Sequence, residues 1–276
     1  MYRSKSLEHS RVNAVFVANK KPSVEPAPTY RIQACTGQHL GDRAEQQDRV
    51  AIMASPRDKR TALVALADGM GGKTGGALAA QQVIATAQSL FNDFNPSVDN
   101  TEDFLRQITQ EAHTVIKLTA MSSEKEPHST MVLLLLQPDR VDWAHVGDSR
   151  LYYFRQDKLA YRTVDHSFAE MVARERHTTQ NDARLHRLNN VLTSALGSQR
   201  EPEISLGCSD NPQPNDNYLV CSDGLWPLFK EEELGQAINE HEPRKASEFL
   251  IDTARKRATG RGDNCTLAII KLVTPA

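Results

Sequence analysis

The sequence predicts an α+β fold in which antiparallel β-sheets carry α-helices on their outer faces. Short runs with strand character follow one another directly along the chain, as they do in meanders. The long helical patterns stand in separate blocks, whereas a parallel sheet needs strands that alternate with helices. The order of the elements therefore favours antiparallel sheets.

The strands are predicted from short apolar, β-branched and aromatic runs. In chain order they are Tyr30–Thr36, Arg49–Ala54, Thr61–Ala67, Thr130–Gln137, Arg140–Val146, Arg150–Arg155, Glu203–Cys208, Asn217–Cys221 and Cys265–Val273. Two helices are predicted over about Gly75–Phe91 and Glu102–Met121, and another pair follows Glu231 and Arg244. The polar, histidine-rich stretch Asp165–Leu188 interrupts the strands and predicts a surface flap over about residues 165–200.

A single domain is predicted over residues 29–274. The preceding residues, 1–28, are polar and basic and then proline-rich, without sustained periodicity. We expect this segment to form a flexible tail. No linker or internal repeat interrupts the pattern from Tyr30 to Leu272.

The composition argues against several classes of protein. With 33 Lys plus Arg against 35 Asp plus Glu, the formal net charge of -2 predicts no general attraction to nucleic acid or to an anionic membrane. The longest apolar run, Met131–Leu136, is too short to span a bilayer, and no secretory leader is recognisable. We expect a cytoplasmic protein whose four cysteines are buried, reduced thiols.

Four aspartates share one local setting, a strand end with glycine or another small residue beside the acid. They are Asp68, Asp148, Asp223 and Asp263. Carboxylates in this setting can point off a sheet edge and converge. Crowded carboxylates repel one another and raise one another's pKa, so such a cluster is stable chiefly when cations neutralise it. Oxygen ligands favour Mg²⁺ or Mn²⁺ over zinc.

The fragment Arg43–Asp48 adds a guanidinium and a further carboxylate just before the second predicted strand. Arginine can hold phosphate oxygens through two parallel hydrogen bonds, which lysine cannot reproduce. An arginine near an aspartate is also commonly a surface ion pair. The fragment alone therefore leaves both interpretations open.

A nucleotide-binding P-loop is an alternative interpretation of residues Ala67–Thr74, and Leu219–Asp223 fits the strand that accompanies such a loop. Against this alternative, Asp68 would place a carboxylate in a loop that has to cradle phosphates. The strands and helices also fail to alternate as a parallel nucleotide-binding sheet requires.

Taken together, these motifs resemble the metal-dependent protein phosphatases, also called type 2C serine/threonine phosphatases, in their compact bacterial form. The resemblance covers roughly Tyr30–Leu272 and rests on the joint order of Arg43–Asp48, Asp68–Gly72, Ser129–Thr130, Gly147–Arg150, Asp165–Ser167, Asn190–Thr193, Ala195–Gly197, Ser222–Leu225 and Gly262–Asn264. It implies two packed antiparallel sheets flanked by helices, an αββα sandwich, with a metal site at one edge.

The resemblance also implies the metal ligands. Asp68 would bridge two metal ions, and the Gly69 carbonyl would help to hold the second. Asp223 and Asp263 would complete the first site, while Asp148, together with Asp223, resembles the weaker third-metal site of bacterial members. The implied cofactors are two or three Mn²⁺ or Mg²⁺ ions.

The catalytic residues implied by the resemblance are Asp48, Asp68 and Asp223, with Asp48 orienting a metal-bound water. Arg43 would bind the phosphate of the substrate. The expected reaction is hydrolysis of phosphoserine and phosphothreonine esters by activated water, without a covalent intermediate. The expected partners are phosphorylated proteins, such as those of a eukaryotic-like serine/threonine kinase, and the expected state is a monomer that binds neither nucleic acid nor membrane.

Several positions depart from the family pattern. Gln47 stands where many members have a glutamate, and Met70 stands where some relatives have a histidine proposed as the general acid. The acid that protonates the leaving group is therefore unassigned, and Lys73, His39 and a metal-bound water remain alternatives. These departures motivate a second hypothesis, a pseudophosphatase that binds phosphoproteins without hydrolysing them.

Overall fold

The structure is a computed structural model that describes residues 30–121, 126–175 and 191–275, apart from the side chains of residues 72–74. The predicted tail, residues 1–28, and much of the predicted flap, residues 176–190, lie outside the described residues. The part of the flap that is described begins with a helix.

Runs of consecutive short strands are separated by blocks of helix. The strands are β1 (Arg31–His39), β2 (Arg49–Ala54), β3 (Ala62–Ala67), β4 (Gly69–Met70), β5 (His128–Ser129), β6 (Met131–Leu136), β7 (Arg140–Val146), β8 (Arg150–Arg155), β9 (Lys158–Arg162), β10 (Ser205–Asp210), β11 (Asp216–Cys221) and β12 (Cys265–Val273). The helices are α1 (Gly72–Asp93), α2 (Thr101–Met121), α3 (Phe168–Glu175), α4 (Glu231–Glu240) and α5 (Pro243–Ala258), with a 3₁₀ turn at Trp226–Leu228.

The strands form two five-stranded sheets. One has the order β1-β12-β11-β8-β9 and the other the order β10-β7-β6-β3-β2, while β4 and β5 form a separate two-stranded ribbon. Every pairing among the described strands is antiparallel. The predicted fold class is therefore confirmed, and the parallel sheet that the P-loop alternative needs is absent from the described chain.

The two sheets pack face to face with helices on both outer faces. Along β3, Val64 and Leu66 point into the core between the sheets, whereas Leu63 and Ala65 point into a second core beneath α1 and α2. A third core lies between the other sheet and the pair α4 and α5. Because both faces of the inner strands are buried, these strands are continuous apolar runs instead of alternating ones.

The sequence placed β2, β7, β8 and β12 at their observed bounds and missed β4, β5 and β9. The ribbon strands have only two residues each, too few to show any periodicity. Strand β9 lies at a sheet edge and is mostly exposed, so it lacks an apolar side. Helix α1 begins at Gly72, before the predicted start at about Gly75.

All four cysteines are free, as predicted, but two of them are not buried. Cys221 and Cys265 lie in the core of the sandwich, whereas Cys208 is exposed and Cys35 is half-buried. Cys208 lies on the edge strand β10, where alternate side chains face solvent. Among the described residues, no helix has the length and apolar character that a transmembrane span requires.

Candidate metal centre

The predicted acidic residues lie in connections at the ends of strands from both sheets. Asp68 follows β3, Asp148 lies between β7 and β8, Asp223 follows β11, and Asp263 lies two residues before the start of β12. Asp48 directly precedes β2 and is almost fully buried. The sandwich thus gathers carboxylates that are far apart in sequence.

Asp68 lies at the middle of this group. Burial raises the pKa of its carboxyl well above the usual range, and the charges of Asp48, Asp223 and Asp148 raise it further, in that order. These carboxylates are therefore near neighbours, and the fold holds them together against their mutual repulsion.

Asp223 links Asp68 to the remaining acids. Burial raises the pKa of Asp223 to about 6, and the charge of Asp263 adds to the increase. The pKa of Asp148 is raised well above its usual range, first by burial and then by the charge of Asp223. The structure thus brings Asp48, Asp68, Asp148, Asp223 and Asp263 into one cluster, which we call the acidic centre.

Asp48 has a neutral partner in the core. The Ser222 hydroxyl donates a hydrogen bond to Asp48 Oδ2 at 2.8 Å. Burial nevertheless raises the pKa of Asp48 to about 7, because the hydrogen bond from Ser222 offsets the desolvation only in part. Ser222 therefore fixes the orientation of Asp48 without neutralising it.

The backbone at Asp68 is held by the strand segment that contains β5. Asp68 N–H donates to Thr130 Oγ1 at 3.1 Å, and Asp68 O accepts from Thr130 N–H at 2.8 Å and from Ser129 Oγ at 3.1 Å. A Cβ on Gly69 would lie 2.0 Å from Gly76 O, so only glycine fits there. The predicted role of the Gly69 carbonyl as a metal ligand stays a prediction.

Arg43 lies at the rim of the acidic centre. Its Nη2 forms an ion pair with Asp263 Oδ2, and 60% of its side chain is exposed. The hydrogen bond from Arg43 to Asp263 raises the pKa of Arg43, and the charges of Asp223 and Asp68 contribute as well. Arg43 is thus close to the acids and remains accessible to a ligand from solution.

Asn264 fastens the loop that carries Arg43 to the loop that carries Asp263. Its Oδ1 accepts a hydrogen bond from Gln47 N–H at 2.7 Å, and its Nδ2 donates to Leu40 O at 2.8 Å and to Glu45 O at 3.0 Å. The sequence showed Asn264 only as part of a motif. Its function as a clamp depends on contacts across more than 200 positions, which no local pattern reveals.

A buried network supports Asp148 from below. Arg150 forms two hydrogen bonds of 2.8 Å with Asp165, and its guanidinium lies 3.4 Å from the ring centroid of Trp226. Trp226 Nε1 in turn donates to Asp148 O at 3.0 Å. Sequence reasoning missed this network, although Arg150 and Asp165 both lie in motifs that carried the resemblance.

The chemistry of the acidic centre fits divalent cations of the Mg²⁺ and Mn²⁺ type. Its side-chain donors are carboxylate oxygens whose pKa values are raised first by burial and further by neighbouring carboxylates, and a cation would neutralise that negative charge. Within the described ranges, no three His, Cys, Asp or Glu side chains already form a finished metal-binding group. The Arg43–Asp263 ion pair instead directs a carboxylate oxygen of the centre toward a protein partner.

An αββα sandwich with an acidic centre at the ends of its strands is the architecture of the metal-dependent phosphatases. The family model described as "Protein phosphatase 2C" matches residues 36–256. The chain therefore belongs to the protein phosphatase 2C family.

Similar proteins were found both by sequence and by structure. The serine/threonine protein phosphatase PstP of Mycobacterium tuberculosis is 30% identical over 83% of this chain, and the serine/threonine phosphatase stp of Listeria innocua is 28% identical over 78% of this chain and 86% of its own length. The crystal structure of the PstP catalytic domain in complex with two manganese ions is 28% identical, with a TM-score of 0.74 over 89% of this chain and 100% of that chain. This chain spans 45% of the length of full PstP.

Proposed function

We propose that this chain is a divalent-metal-dependent serine/threonine phosphoprotein phosphatase. The observation that carries the proposal is the acidic centre, in which buried and half-buried carboxylates at strand ends of both sheets lie together, four of them with raised pKa values. The names of the relatives PstP and stp, and the manganese ions of the PstP structure, support the same activity and the same class of cofactor.

The acidic centre would hold the ions through Asp68, Asp223 and Asp263, with Gly69 O as a further ligand. Asp148 would serve a third, weaker position next to Asp223. When bound, such ions lower the pKa of water and neutralise phosphate oxygens, so that water can attack phosphorus directly. Asp48, held by Ser222, would orient that water.

Arg43 would bind the phosphate group of the substrate. It is exposed and already interacts with an oxyanion, the carboxylate of Asp263. A phosphate that replaced this carboxylate would satisfy the guanidinium and release Asp263 toward the acidic centre. Binding of substrate and completion of the centre would then be coupled through one exchange of partners.

The proposal is tested with a phosphothreonine peptide in Mn²⁺ and in a chelator. Wild-type protein should release phosphate only with metal, Asp223→Ala should abolish release, and Asp148→Ala should weaken it or change the preference among peptides. Asp252→Ala, on the exposed side of α5, is the matched control and should behave as wild type. Full activity in chelator would overturn the proposal, and phosphopeptide binding without turnover at any Mn²⁺ concentration would identify a pseudophosphatase instead.

Calorimetry with Mn²⁺ tests the metal ligands independently of turnover. Asp68→Asn should remove the binding heat, because this residue lies at the middle of the acidic centre. Asp252→Asn should leave the binding heat unchanged. Equal heats in both variants would show that the cations bind elsewhere.

The proposed substrates are phosphorylated proteins, including those of a eukaryotic-like serine/threonine kinase, as the resemblance implies. The free thiols of Cys221 and Cys265 support a reducing compartment such as the cytoplasm. A monomer remains our expectation for the assembly state. Light scattering after size-exclusion chromatography would test it, and a dimer mass would refute it.

A further inference from the structure

Hydrolysis of a serine or threonine phosphate requires a proton for the departing oxygen, since an alkoxide is a strong base and a poor leaving group. Lys73 was one candidate, and its side chain lies outside the described residues. His39 was another. Its Nδ1 accepts a hydrogen bond from Gly41 N–H at 2.8 Å, and a cationic ring would have to break this bond. His39 is therefore poorly arranged to carry and deliver a proton.

His128 lies on the ribbon that holds the acidic centre. In the β4–β5 pairing, Met70 is opposite His128 and Gly69 is opposite Ser129. Residues that are opposite each other in a ladder point to the same side, so His128 shares the face of Met70. Gly69 and Ser129 are buried on the inner side, whereas Met70 and His128 are half-buried on the accessible side.

The same geometry relates His128 to Asp68. Asp68 precedes Met70 by two residues, is half-buried like Met70, and is held by Thr130 on the opposite chain segment. His128 is thus the diagonal cross-strand neighbour of Asp68, at a Cβ separation of about 7 to 8 Å in a regular ladder. An imidazole can cover roughly half of that separation, and a phosphate held at the acidic centre would cover the remainder.

The ring of His128 has a defined orientation of its protons. His128 Nδ1 lies 2.9 Å from the carbonyl oxygen of Glu126, and because a carbonyl only accepts, Nδ1 must be the donor. This hydrogen bond is compatible with both the neutral and the cationic ring, unlike the one made by His39. The exchangeable proton is then carried by Nε2. Other histidines are oriented in the same way, by a hydrogen bond from one ring nitrogen to an acceptor, while the other nitrogen exchanges its proton.

The cleft beside His128 has room for the peptide part of a substrate. It measures about 490 Å³, and its lining includes His128, Met70, Thr193, Ser194 and Arg200. Met70, which lines this cleft, is two residues from Asp68. A substrate whose phosphate reaches the acidic centre could therefore place its seryl or threonyl side chain next to His128.

We propose that His128 is the general acid that protonates the leaving oxygen of the phosphoserine or phosphothreonine substrate. The assignment rests on the proposed phosphatase activity and adds a catalytic residue to it. It places the acid on the strand opposite Met70.

In the proposed step, a water molecule forms a new bond to phosphorus and releases a proton to the surrounding carboxylates. The bond from phosphorus to the seryl oxygen breaks, and its electron pair remains on that oxygen. The oxygen takes the proton from Nε2 of the cationic His128 ring. The products are inorganic phosphate and a free hydroxyl side chain, and the ring regains its proton from solvent.

The test is the dependence of the rate on the leaving group. The variant His128→Gln should lower kcat on a phosphothreonine peptide by roughly 100-fold or more, the usual contribution of a general acid. On p-nitrophenyl phosphate the loss should be below about threefold, because p-nitrophenolate is a weak base and leaves without a proton. His39→Gln is the matched control and should show no difference between the two substrates. The double variant Met70→His/His128→Gln should recover at least about tenfold of the peptide activity, since it moves an imidazole to the opposite strand on the same face.

Calorimetry with Mn²⁺ should give the same affinity for His128→Gln as for wild type. An unchanged rate on the peptide, or equal losses on both substrates, would overturn the assignment. If His128→Gln does not fold, the assignment is tested on wild type with a series of aryl and alkyl phosphates. A proton donor makes the rate only weakly dependent on the basicity of the leaving group. A steep dependence would refute the assignment. Failure of wild type on every substrate at saturating Mn²⁺ would instead refute the phosphatase proposal itself.

Discussion

Replacement of Arg150 by methionine should destabilise this protein strongly, although Arg150 touches no substrate in the proposed mechanism. The side chain of Arg150 is 8% exposed and that of its partner Asp165 is 0% exposed. Burial acts to lower the pKa of Arg150, but the charges and hydrogen bonds of Tyr152 and Asp165 raise it above its ordinary value. The fold thus buries a permanently charged guanidinium in the core.

The magnitude follows from what the substitution leaves behind. Methionine fills much of the volume but removes two hydrogen bonds of 2.8 Å to Asp165 and the contact with the Trp226 ring. Among the charged partners that the described residues give Asp165, Arg162 remains at 3.8 Å. Removal of one member of a buried ion pair typically costs about 3 to 5 kcal/mol. For a domain of this size that corresponds to a fall in Tm of roughly 6 to 20 °C.

Urea unfolding followed by tryptophan fluorescence measures this difference. The chain has two tryptophans, and because Trp226 lies against Arg150 its emission reports on the network itself. Arg150→Lys keeps the charge but cannot form the paired hydrogen bonds, so its loss should be smaller, about 1 to 3 kcal/mol. The double variant Arg150→Met/Asp165→Leu removes both charges and should recover most of the stability that Arg150→Met loses.

Two results would refute this reasoning. One is an Arg150→Met variant within about 1 kcal/mol of wild type, the scale of an ordinary substitution. The other is a double variant no more stable than Arg150→Met, since the predicted loss comes from the buried charge of Asp165, which then lacks the two hydrogen bonds from Arg150. Weaker Mn²⁺ binding by Arg150→Met would extend the effect to Asp148, whose carbonyl accepts from Trp226.

Three further predictions concern the acidic centre and its surroundings. Asp68→Asn should abolish turnover and yet stabilise the protein in chelator by at least about 1 kcal/mol, the equivalent of one pKa unit relieved on its neighbours; a less stable variant would contradict this. The stacked rings of His145 and His166 have pKa values lowered to about 4 by burial, from 6.5 when exposed, so the unfolded chain takes up protons first as the pH falls from 6.5 toward 4. Their contribution to the free energy of unfolding is complete above pH 6.5, and each ring should lose about 2 kcal/mol of it by pH 5. The stability of His166→Gln should therefore depend less on pH than that of wild type. Identical dependences of stability on pH would refute the assignment. Asn264→Ala should raise KM for a phosphopeptide more than it lowers kcat, because it frees the loop of Arg43, and an unchanged KM would show that this clamp is not needed.

The sequence located the acids better than their supports. Asp68 and Asp223 each follow a strand whose two faces are buried, and such strands are visible as apolar runs whose ends are easy to find. Asp48 was tied to the centre by the motif beginning at Arg43. Repulsion among the aspartates could be predicted, because it requires only that the ends of these strands meet on one side of the sandwich.

The residues that hold the acids in place could not be predicted, because each is a polar residue whose role depends on a partner far away in the sequence. Ser222 bonds to Asp48 across 174 positions, and the Trp226 side chain reaches the Asp148 carbonyl across 78 positions. The ribbon of β4 and β5 is also invisible in the sequence, since two residues show no period. His128 therefore had no context until its pairing with Met70 was known.

The supports of the acidic centre share a property that bears on its function. Ser222, Thr130 and Asn264 fix the acidic loops through neutral hydrogen bonds, so they set geometry without removing negative charge. The buried cation Arg150 lowers the pKa of Asp148 only as a minor effect and is bonded to Asp165. Arg43 alone of these groups neutralises an acid of the centre directly, and it is the one that a phosphate could draw away. The fold thereby keeps the centre negative enough to attract divalent cations and leaves the exposed Arg43 available to the substrate.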